Sequence, residues 1–269
     1  MTTDVSTQRA GQFAREHPTI EFLVAAARPY LRGGWSFTGF HWPVLAGQLA
    51  ARLAGDAVVQ VFEAGAVTRG PGARIPTSTT DFAAYGNALC AVGDTASTLL
   101  AMARRFDRVV LDAGNLDVAG RLNSSFIGSR DRPRVRLPGG GGAPDVAGAS
   151  RELVLLHGGS DLRRLQSAVS NVTAAPGPQS TVELITRWGS VRLGRAPTLL
   201  ETAEVEGVDR FVAHLEDLGV DCRVVPARRA SSPTERRAAA LVLREAAAQG
   251  YEVARRVLRD WEGDEHGDR

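Results

Sequence analysis

One acidic residue, Glu63, lies directly after an apolar run and before two small residues. The run 57–62 reads AVVQVF, and such an almost unbroken apolar stretch is typical of a strand that is buried on both faces. Ala64 and Gly65 leave room for a substrate beside the carboxylate. A carboxylate in this position can act as a nucleophile or a general base. It can equally form a structural ion pair or cap a loop, and the residues alone leave both roles open.

A polar segment follows the next apolar run, 108–112. Within 111–128 the candidate site residues are Asn115, Asp117, Asn123 and Ser124. These side chains can contact a substrate or shape the floor of a pocket. Asp and Asn also favour turns because they hydrogen-bond to their own backbone, so turn formation is the alternative interpretation.

A glycine run, Gly139 to Gly142, follows the segment RVRLP and precedes APDVAG. Consecutive glycines allow backbone N–H groups to approach a ligand closely, and several such donors in one turn can hold a phosphate or an oxyanion. The spacing is not that of a GxGxxG motif, so a simple flexible turn is the competing interpretation.

Several chemistries are excluded by composition. All 32 basic residues are Arg, and the absence of Lys excludes a Schiff-base lysine and a complete P-loop. Cys90 and Cys222 have no metal-ligand spacing, and the five histidines form none either, so no metal site is predicted. Among the histidines, His157 is the best candidate for a site role because it ends an apolar run, although a buried structural histidine is the simpler interpretation.

The apolar runs alternate with segments of helical periodicity, which predicts an α/β fold with a largely parallel open sheet and flanking helices. Ligands bind such sheets at the carboxyl ends of the strands. We predict strands at 35–40, 57–62, 108–114, 134–137 and 152–158 and helices at 19–31, 42–54 and 95–106. Thr19 is the predicted N-cap of the first helix. A later helix starts with a capping box of Ser232 and Glu235, with Pro233 as its first residue.

Overall composition predicts one domain of ordinary soluble character. We expect a flexible N-terminus at 1–17, a single α/β domain at 18–259 and an acidic flexible tail at 260–269. The net charge of +2 argues against nucleic-acid binding, and no apolar run is long enough to span a membrane. The N-terminus lacks the apolar core of a signal peptide, and with only two cysteines this favours a cytoplasmic location.

Taken in order, four segments resemble the β subunits of family I coenzyme A transferases of the glutaconate CoA-transferase type. They are FTGFHWPVLAGQLAARL, VVQVFEAGAV, LDAGNLDVAGRLNSSFIG and RVRLPGGGGAPDVA. The resemblance covers about residues 30–200 and includes Gly39, Ala64 and Gly65 as site positions. It implies the NagB/RpiA/CoA-transferase-like fold. Ala119-Gly120-Arg121 replaces the family's Tyr-Gly-Asn, which predicts an altered substrate pocket.

The resemblance implies a reaction for these residues. Glu63 would attack an acyl-CoA thioester and then carry CoA as a glutamyl thioester before passing it to a carboxylic acid. Gly140, Gly141 and Gly142 would hold the oxyanions and CoA, and Asn115, Asp117, Asn123 and Ser124 would shape the site. No permanently bound cofactor is expected, since CoA is a substrate, and an α subunit is the expected partner.

Two alternatives remain open at this point. The chain could be a subunit of a CoA-thioester hydrolase or a ring-opening C–C hydrolase on the same scaffold, or a non-catalytic partner subunit. Because the chain has no Lys, CoA phosphates would have to meet Arg. The first candidates are Arg69, Arg74 and the cluster at 130–136.

Overall fold

The computed structural model describes residues 17–223 and 225–264, in which thirteen strands and seven α-helices are found, joined by short 3₁₀ and π-helical turns. The helices are α1 (Pro18–Leu31), α2 (Trp42–Ala54), α3 (Phe82–Tyr85), α4 (Ala143–Ala149), α5 (Val208–Asp217), α6 (Pro233–Ala248) and α7 (Glu252–Asp264). The strands are β1 (Trp35–Thr38), β2 (Val59–Val61), β3 (Ala66–Arg69), β4 (Leu89–Val92), β5 (Arg108–Asp112), β6 (Leu116–Asp117), β7 (Phe126–Gly128), β8 (Pro133–Arg136), β9 (Glu152–His157), β10 (Leu165–Gln166), β11 (Thr181–Thr186), β12 (Gly189–Leu193) and β13 (Thr198–Thr202).

Nine strands form one open sheet in the order β13-β12-β11-β9-β5-β1-β2-β3-β4. The centre, from β11 through β9, β5 and β1 to β2, is parallel. Antiparallel strands extend both sides, with β12 and β13 beyond β11 and with β3 and β4 beyond β2. The α/β fold with a mostly parallel open sheet is therefore confirmed, and its parallel centre brings the carboxyl ends of β5, β1 and β2 side by side.

Both faces of the sheet are covered, so the fold has three layers. Val110 and Val154 pack on one face against apolar residues of α1, α2 and α6. Val109, Leu111 and Leu153 point to the other face, where they pack with residues of α4 and α5. Burial on both faces explains why the central strands are apolar at successive positions.

Some sequence predictions were wrong in detail. The N-cap of α1 is His17, whose Nδ1 accepts a hydrogen bond from the Thr19 N–H at 3.2 Å, rather than Thr19 itself. The segment 134–137 is not a strand of the main sheet, because β8 pairs only with β7 in a separate, mostly exposed ribbon. The predicted helix at 95–106 is a π-helical turn followed by a 3₁₀ turn.

At the C-terminal end of the chain the predicted capping box is present. The Ser232 hydroxyl accepts a hydrogen bond from the Glu235 N–H, and the Glu235 carboxylate accepts one from the Ser232 N–H. Residues 260–264 of the predicted tail continue helix α7, whereas 1–16 and 265–269 lie outside the described residues. No helix in the described part of the chain is long and apolar enough to cross a membrane.

Candidate active site

A cavity of about 360 Å³ opens where the carboxyl ends of β5, β1 and β2 meet. Its walls come from the turns after β1 and β2, from the residues that follow β5, and from the glycine run before α4. This is the position at which parallel α/β sheets bind ligands. Segments far apart in sequence therefore converge on one space, and Glu63 is among the residues that line it.

Glu63 is placed by a tight turn between β2 and β3. The Gly65 N–H donates to the Phe62 carbonyl at 2.9 Å, and the Phe62 N–H donates to the Ala66 carbonyl at 2.9 Å. Gly65 has φ +100°, and a Cβ there would lie 2.3 Å from the Gly93 carbonyl carbon, so only glycine fits. The turn fixes Glu63 at the end of the strand with its half-buried carboxylate at the cavity.

The glycine run faces this carboxylate. A Cβ placed on Gly141, whose φ is +50°, would lie 3.3 Å from Glu63 Oε2. Within the described residues, the N–H groups of Gly140, Gly141 and Gly142 have no hydrogen-bond acceptor, whereas the Gly139 N–H donates to the Ser124 carbonyl at 2.7 Å. Gly140 and Gly141 line the cavity, whereas Gly142 lies outside its lining and is packed against Leu99. The loop thus brings an unpaired backbone donor at Gly141 close to a carboxylate, and such donors can stabilise an oxyanion.

The polar segment divides between the cavity and the interior. Asn115, Asn123 and Ser124 line the cavity, as the sequence suggested. Asn123 also holds its own turn, because its Oδ1 accepts from the Ser125 N–H at 3.1 Å and its Nδ2 donates to the Phe126 carbonyl at 2.8 Å. Its amide is therefore fixed in orientation and contributes shape to the cavity wall.

Asp117 lies behind the cavity rather than in its lining. Its fully buried carboxylate accepts hydrogen bonds from the backbone N–H groups of Ala119, Arg121 and Val169. The Arg121 guanidinium adds an ion pair at 2.8 Å. This side chain stabilises the turn that carries the polar segment, so the turn interpretation describes its position better than substrate contact does. Arg121, a departure from the family pattern, acts in the same turn.

Gly39 and His41 form the turn that leads from β1 into α2. The Gly39 N–H donates to the Val110 carbonyl at 2.8 Å, and a Cβ on Gly39 would lie 2.9 Å from that oxygen. His41 lines the cavity, and its Nδ1 lies 3.3 Å from Asp112 Oδ2. The hydrogen bond with Asp112 raises the pKa of His41, against the effect of burial. Neither His41 nor Asp112 was among the residues selected from the sequence.

His157, the histidine selected from the sequence, is outside the cavity lining. Its Nδ1 hydrogen-bonds with the Ala113 carbonyl at 2.8 Å, and its buried Nε2 has no partner in the described residues. Burial lowers the pKa of His157, which favours the neutral imidazole. It is a buried structural histidine at the end of β9.

The arginines that could bind CoA phosphates differ in their position relative to the cavity. Arg69 pairs with Val59, at the opposite end of β2 from Glu63, and Arg74 contacts Asp81 at 3.9 Å in a separate loop. Arg136 ends β8, directly before the cavity-lining Leu137. Arg164, which was not selected from the sequence, lines the cavity itself. Of the candidates for binding CoA phosphates, only the cluster at 130–136 is continuous with the cavity wall.

In the described residues, no group of three or more His, Cys, Asp or Glu side chains could hold a metal ion. The groups that the cavity offers for chemistry are the Glu63 carboxylate, the His41–Asp112 pair, the Arg164 guanidinium and backbone N–H groups of the glycine run.

Comparison with known proteins finds relatives of this chain in sequence and in fold. No family model matches the chain. The chain is 33% identical over 135 residues to the B subunit of 3-oxoadipate CoA-transferase from Pseudomonas knackmussii, a match that spans 49% of this chain and 51% of that relative. Its fold matches that of glutaconate CoA-transferase from Acidaminococcus fermentans with a TM-score of 0.69, at 18% identity over 82% of this chain and 92% of the other.

The chain therefore resembles the B subunit of a CoA-transferase over about half the length of that relative, and it has the fold of glutaconate CoA-transferase. The same fold occurs in the decarboxylase AibA/AibB, with a TM-score of 0.68 and 23% identity over 83% of this chain and 93% of the other. It also occurs in IpdAB of Rhodococcus jostii RHA1, with a TM-score of 0.61 and 15% identity over 81% and 91% of the two chains. At these identities the structural matches define the CoA-transferase-like fold, and chemistry has to be argued from the site.

Proposed function

We propose that this chain is a β-like subunit of a CoA-transferase that moves CoA between an acyl-CoA and a carboxylic acid through Glu63. The observation that carries the proposal is the approach of the Gly141 backbone to the Glu63 carboxylate, in a cavity that Gly140 also lines and where neither glycine N–H has an acceptor among the described residues. A nucleophilic carboxylate and preorganised oxyanion donors are what acyl transfer through a covalent intermediate requires.

The reaction proceeds in two exchanges at one carboxylate. A Glu63 oxygen attacks the acyl-CoA carbonyl carbon, the C–S bond breaks, and an acyl–glutamyl anhydride and CoA thiolate result. The thiolate then attacks the glutamyl carbonyl, which releases the acyl group as a carboxylate and leaves CoA on Glu63 as a thioester. An acceptor carboxylate reverses these steps. The glycine-loop donors stabilise the tetrahedral oxyanion in each of them.

CoA enters as a substrate and requires cationic contacts for its phosphates. Arg164 in the cavity lining and Arg136 at the base of the β7–β8 ribbon are the arginines best placed to supply them. An α subunit is part of the proposal, because one relative is the B subunit of its enzyme and the AibA/AibB decarboxylase has two components.

The test replaces the nucleophile in the assembled complex. Glu63→Gln, purified with the partner subunit, should lose CoA exchange by at least about a thousand-fold because the amide cannot form the covalent intermediate. Exchange would be measured with acetyl-CoA, butyryl-CoA and succinyl-CoA as donors and a panel of carboxylic acids as acceptors. Glu206→Gln, at an exposed glutamate outside the cavity, is the matched control.

Trapping of the intermediate provides a second readout. Hydroxylamine added during turnover should convert Glu63 to a hydroxamate, detected by mass spectrometry of the peptide that carries it. Full exchange by Glu63→Gln, or no exchange by the wild-type complex with any donor and acceptor, would refute the proposed function.

A further inference from the structure

His41 has an unusual backbone conformation for its residue type. Its φ of 62° and ψ of −114° lie in a region that favours glycine, and no other non-glycine residue in the described part of the chain has a positive φ. Such a conformation is costly and persists where the surrounding structure fixes it, often at functional sites. Here it places the His41 ring at the mouth of the Glu63 cavity, next to the end of β5.

The imidazole is oriented by a carboxylate. His41 Nδ1 faces Asp112 Oδ2 at 3.3 Å, and Nε2 has no hydrogen-bond partner among the described residues. A carboxylate at Nδ1 fixes the tautomer in which Nε2 can accept a proton. Since Asp112 also raises the pKa of His41, the imidazole is a stronger base than a free histidine, and the imidazolium that it forms can return the proton in a later step.

The exchange reaction does not require an acid–base pair. An ionised carboxylate attacks a thioester, a thiolate leaves and later returns, and no proton is transferred in any step. Attack by water, in contrast, requires a base to take a proton and an acid to return one to the leaving thiolate. The His41–Asp112 pair offers a base and an acid of the kind that attack by water requires.

We propose that His41, oriented by Asp112, gives this site a second activity, the hydrolysis of acyl-CoA through the glutamyl-CoA thioester on Glu63. The inference rests on the proposed function, because it uses the intermediate that CoA transfer forms. Both His41 and Glu63 line the same cavity.

In the hydrolytic step, the oxygen of a water molecule bonds to the glutamyl carbonyl carbon while His41 Nε2 takes one of the water protons. The C–S bond breaks and its electron pair leaves with sulfur. His41 returns the proton to the thiolate, which gives free CoA. Glu63 is released as a carboxylic acid, ionises to the carboxylate and loses its proton to solvent. Overall, one acyl-CoA and one water give a carboxylate, a proton and CoA.

The test compares two rates in the assembled complex with acetyl-CoA, butyryl-CoA and succinyl-CoA. One is release of free thiol without an acceptor acid, and the other is CoA exchange with one. His41→Gln and His41→Gly should lower the ratio of hydrolysis to exchange at least tenfold, in keeping with the size of general-base effects. Asp112→Asn should lower the same ratio by a smaller factor. His157→Gln, a histidine outside the cavity, is the control and should leave the ratio as it is.

Two further measurements distinguish a role of His41 in hydrolysis from a purely structural role. Turnover in ¹⁸O-water should place heavy oxygen in the Glu63 carboxylate of the wild-type complex and much less in His41→Gln. His41→Gly should melt no lower than wild type, because glycine accepts the backbone conformation of this position without strain.

An unchanged ratio in the His41 variants would overturn the inference, whether the two rates stay constant or fall together. So would a wild-type complex that exchanges CoA but releases no thiol without acceptor. These outcomes differ from failure of the proposed function, in which Glu63→Gln retains exchange or the wild-type complex shows none.

Discussion

At the scale of single residues, the site depends on how closely a backbone can approach one carboxylate. Gly141 has φ +50°, and a Cβ on it would lie 3.3 Å from Glu63 Oε2, which is tighter than ordinary van der Waals contact. Gly139 offers a matched comparison, because its φ is +101° and a Cβ there would meet nothing within 4 Å. Backbone strain and crowding of the nucleophile can therefore be separated in this loop.

We predict that Gly141→Ala lowers the kcat of CoA exchange about a hundredfold or more, since it displaces both the Glu63 carboxylate and the oxyanion donors. Gly139→Ala should lower the free energy of unfolding by about 1 kcal/mol, because alanine is strained at a positive φ. It should lower kcat much less than Gly141→Ala does. Steady-state exchange kinetics and thermal melts of both variants would measure this. Equal losses of kcat in the two variants would contradict a role for close approach at Gly141.

Part of the site could be predicted residue by residue, and part could not. Glu63 follows a buried strand of the main sheet, and the carboxyl ends of parallel strands meet at one edge, where ligands bind. The glycine run follows β8, which lies outside the main sheet, so its position at the cavity is visible only in three dimensions. Asp117 shares the residue type of a site carboxylate, but its buried turn network is visible only in three dimensions. The pairing of His41 with Asp112 depends on a positive φ at a histidine, for which the sequence has no signal.

At the scale of elements, the apolar runs predicted the central strands because burial on both faces removes polar positions from them. The same logic failed for 134–137, where arginines alternate with apolar residues. These residues form a ribbon in which β8 pairs with β7 away from the main sheet, and both the arginines and Val135 are exposed. The short strands β3 and β4 and the strand β11 were not predicted.

Helix α6 has an N-terminus that should be sensitive to acid. The Arg229 guanidinium, 2.6 Å from the Glu235 carboxylate, and the capping hydrogen bonds from Ser232 lower the pKa of Glu235 to about 2 from an ordinary value of 4.5. A carboxyl group whose folded-state pKa is depressed stabilises the fold fully above its unfolded-state pKa. That stabilisation is lost as the pH falls from about 4.5 toward about 2.

We therefore predict that Glu235→Gln lowers the free energy of unfolding by about 1 to 2 kcal/mol at pH 7, a figure reduced for solvent screening because the Arg229 side chain is exposed. The difference between variant and wild type should shrink as the pH approaches 2. Urea unfolding at a series of pH values would measure it, with Glu206→Gln as the control. A difference that stays constant from pH 7 to pH 2 would contradict the assignment.

At the scale of the whole molecule, helices cover both faces of the sheet, but the edge next to the Glu63 turn has no pairing strand among the described residues. Strand β4 ends the sheet order, so one edge of it is unpaired in the described structure. The Gly93 N–H, directly after β4, donates to the Gly65 carbonyl at 2.8 Å, which ties this edge to the Glu63 turn. Val92, which ends β4, is 62% exposed, and Leu100, in the π-helical turn that follows β4 in the chain, is 72% exposed. An unpaired sheet edge with exposed apolar side chains nearby in sequence is a candidate interaction surface.

If the proposed α subunit completes the cavity, we expect it to cover the exposed side chains of Val92 and Leu100. We predict that Val92→Asp combined with Leu100→Asp lowers co-purification with the partner at least tenfold and lowers CoA exchange in proportion, because two carboxylates would be desolvated at the interface. Leu241→Asp is the matched control, since Leu241 is 55% exposed on helix α6. Pull-down and size-exclusion chromatography of the co-expressed subunits would measure assembly. Normal assembly of the double variant, or an equal loss in Leu241→Asp, would mean that the partner binds elsewhere.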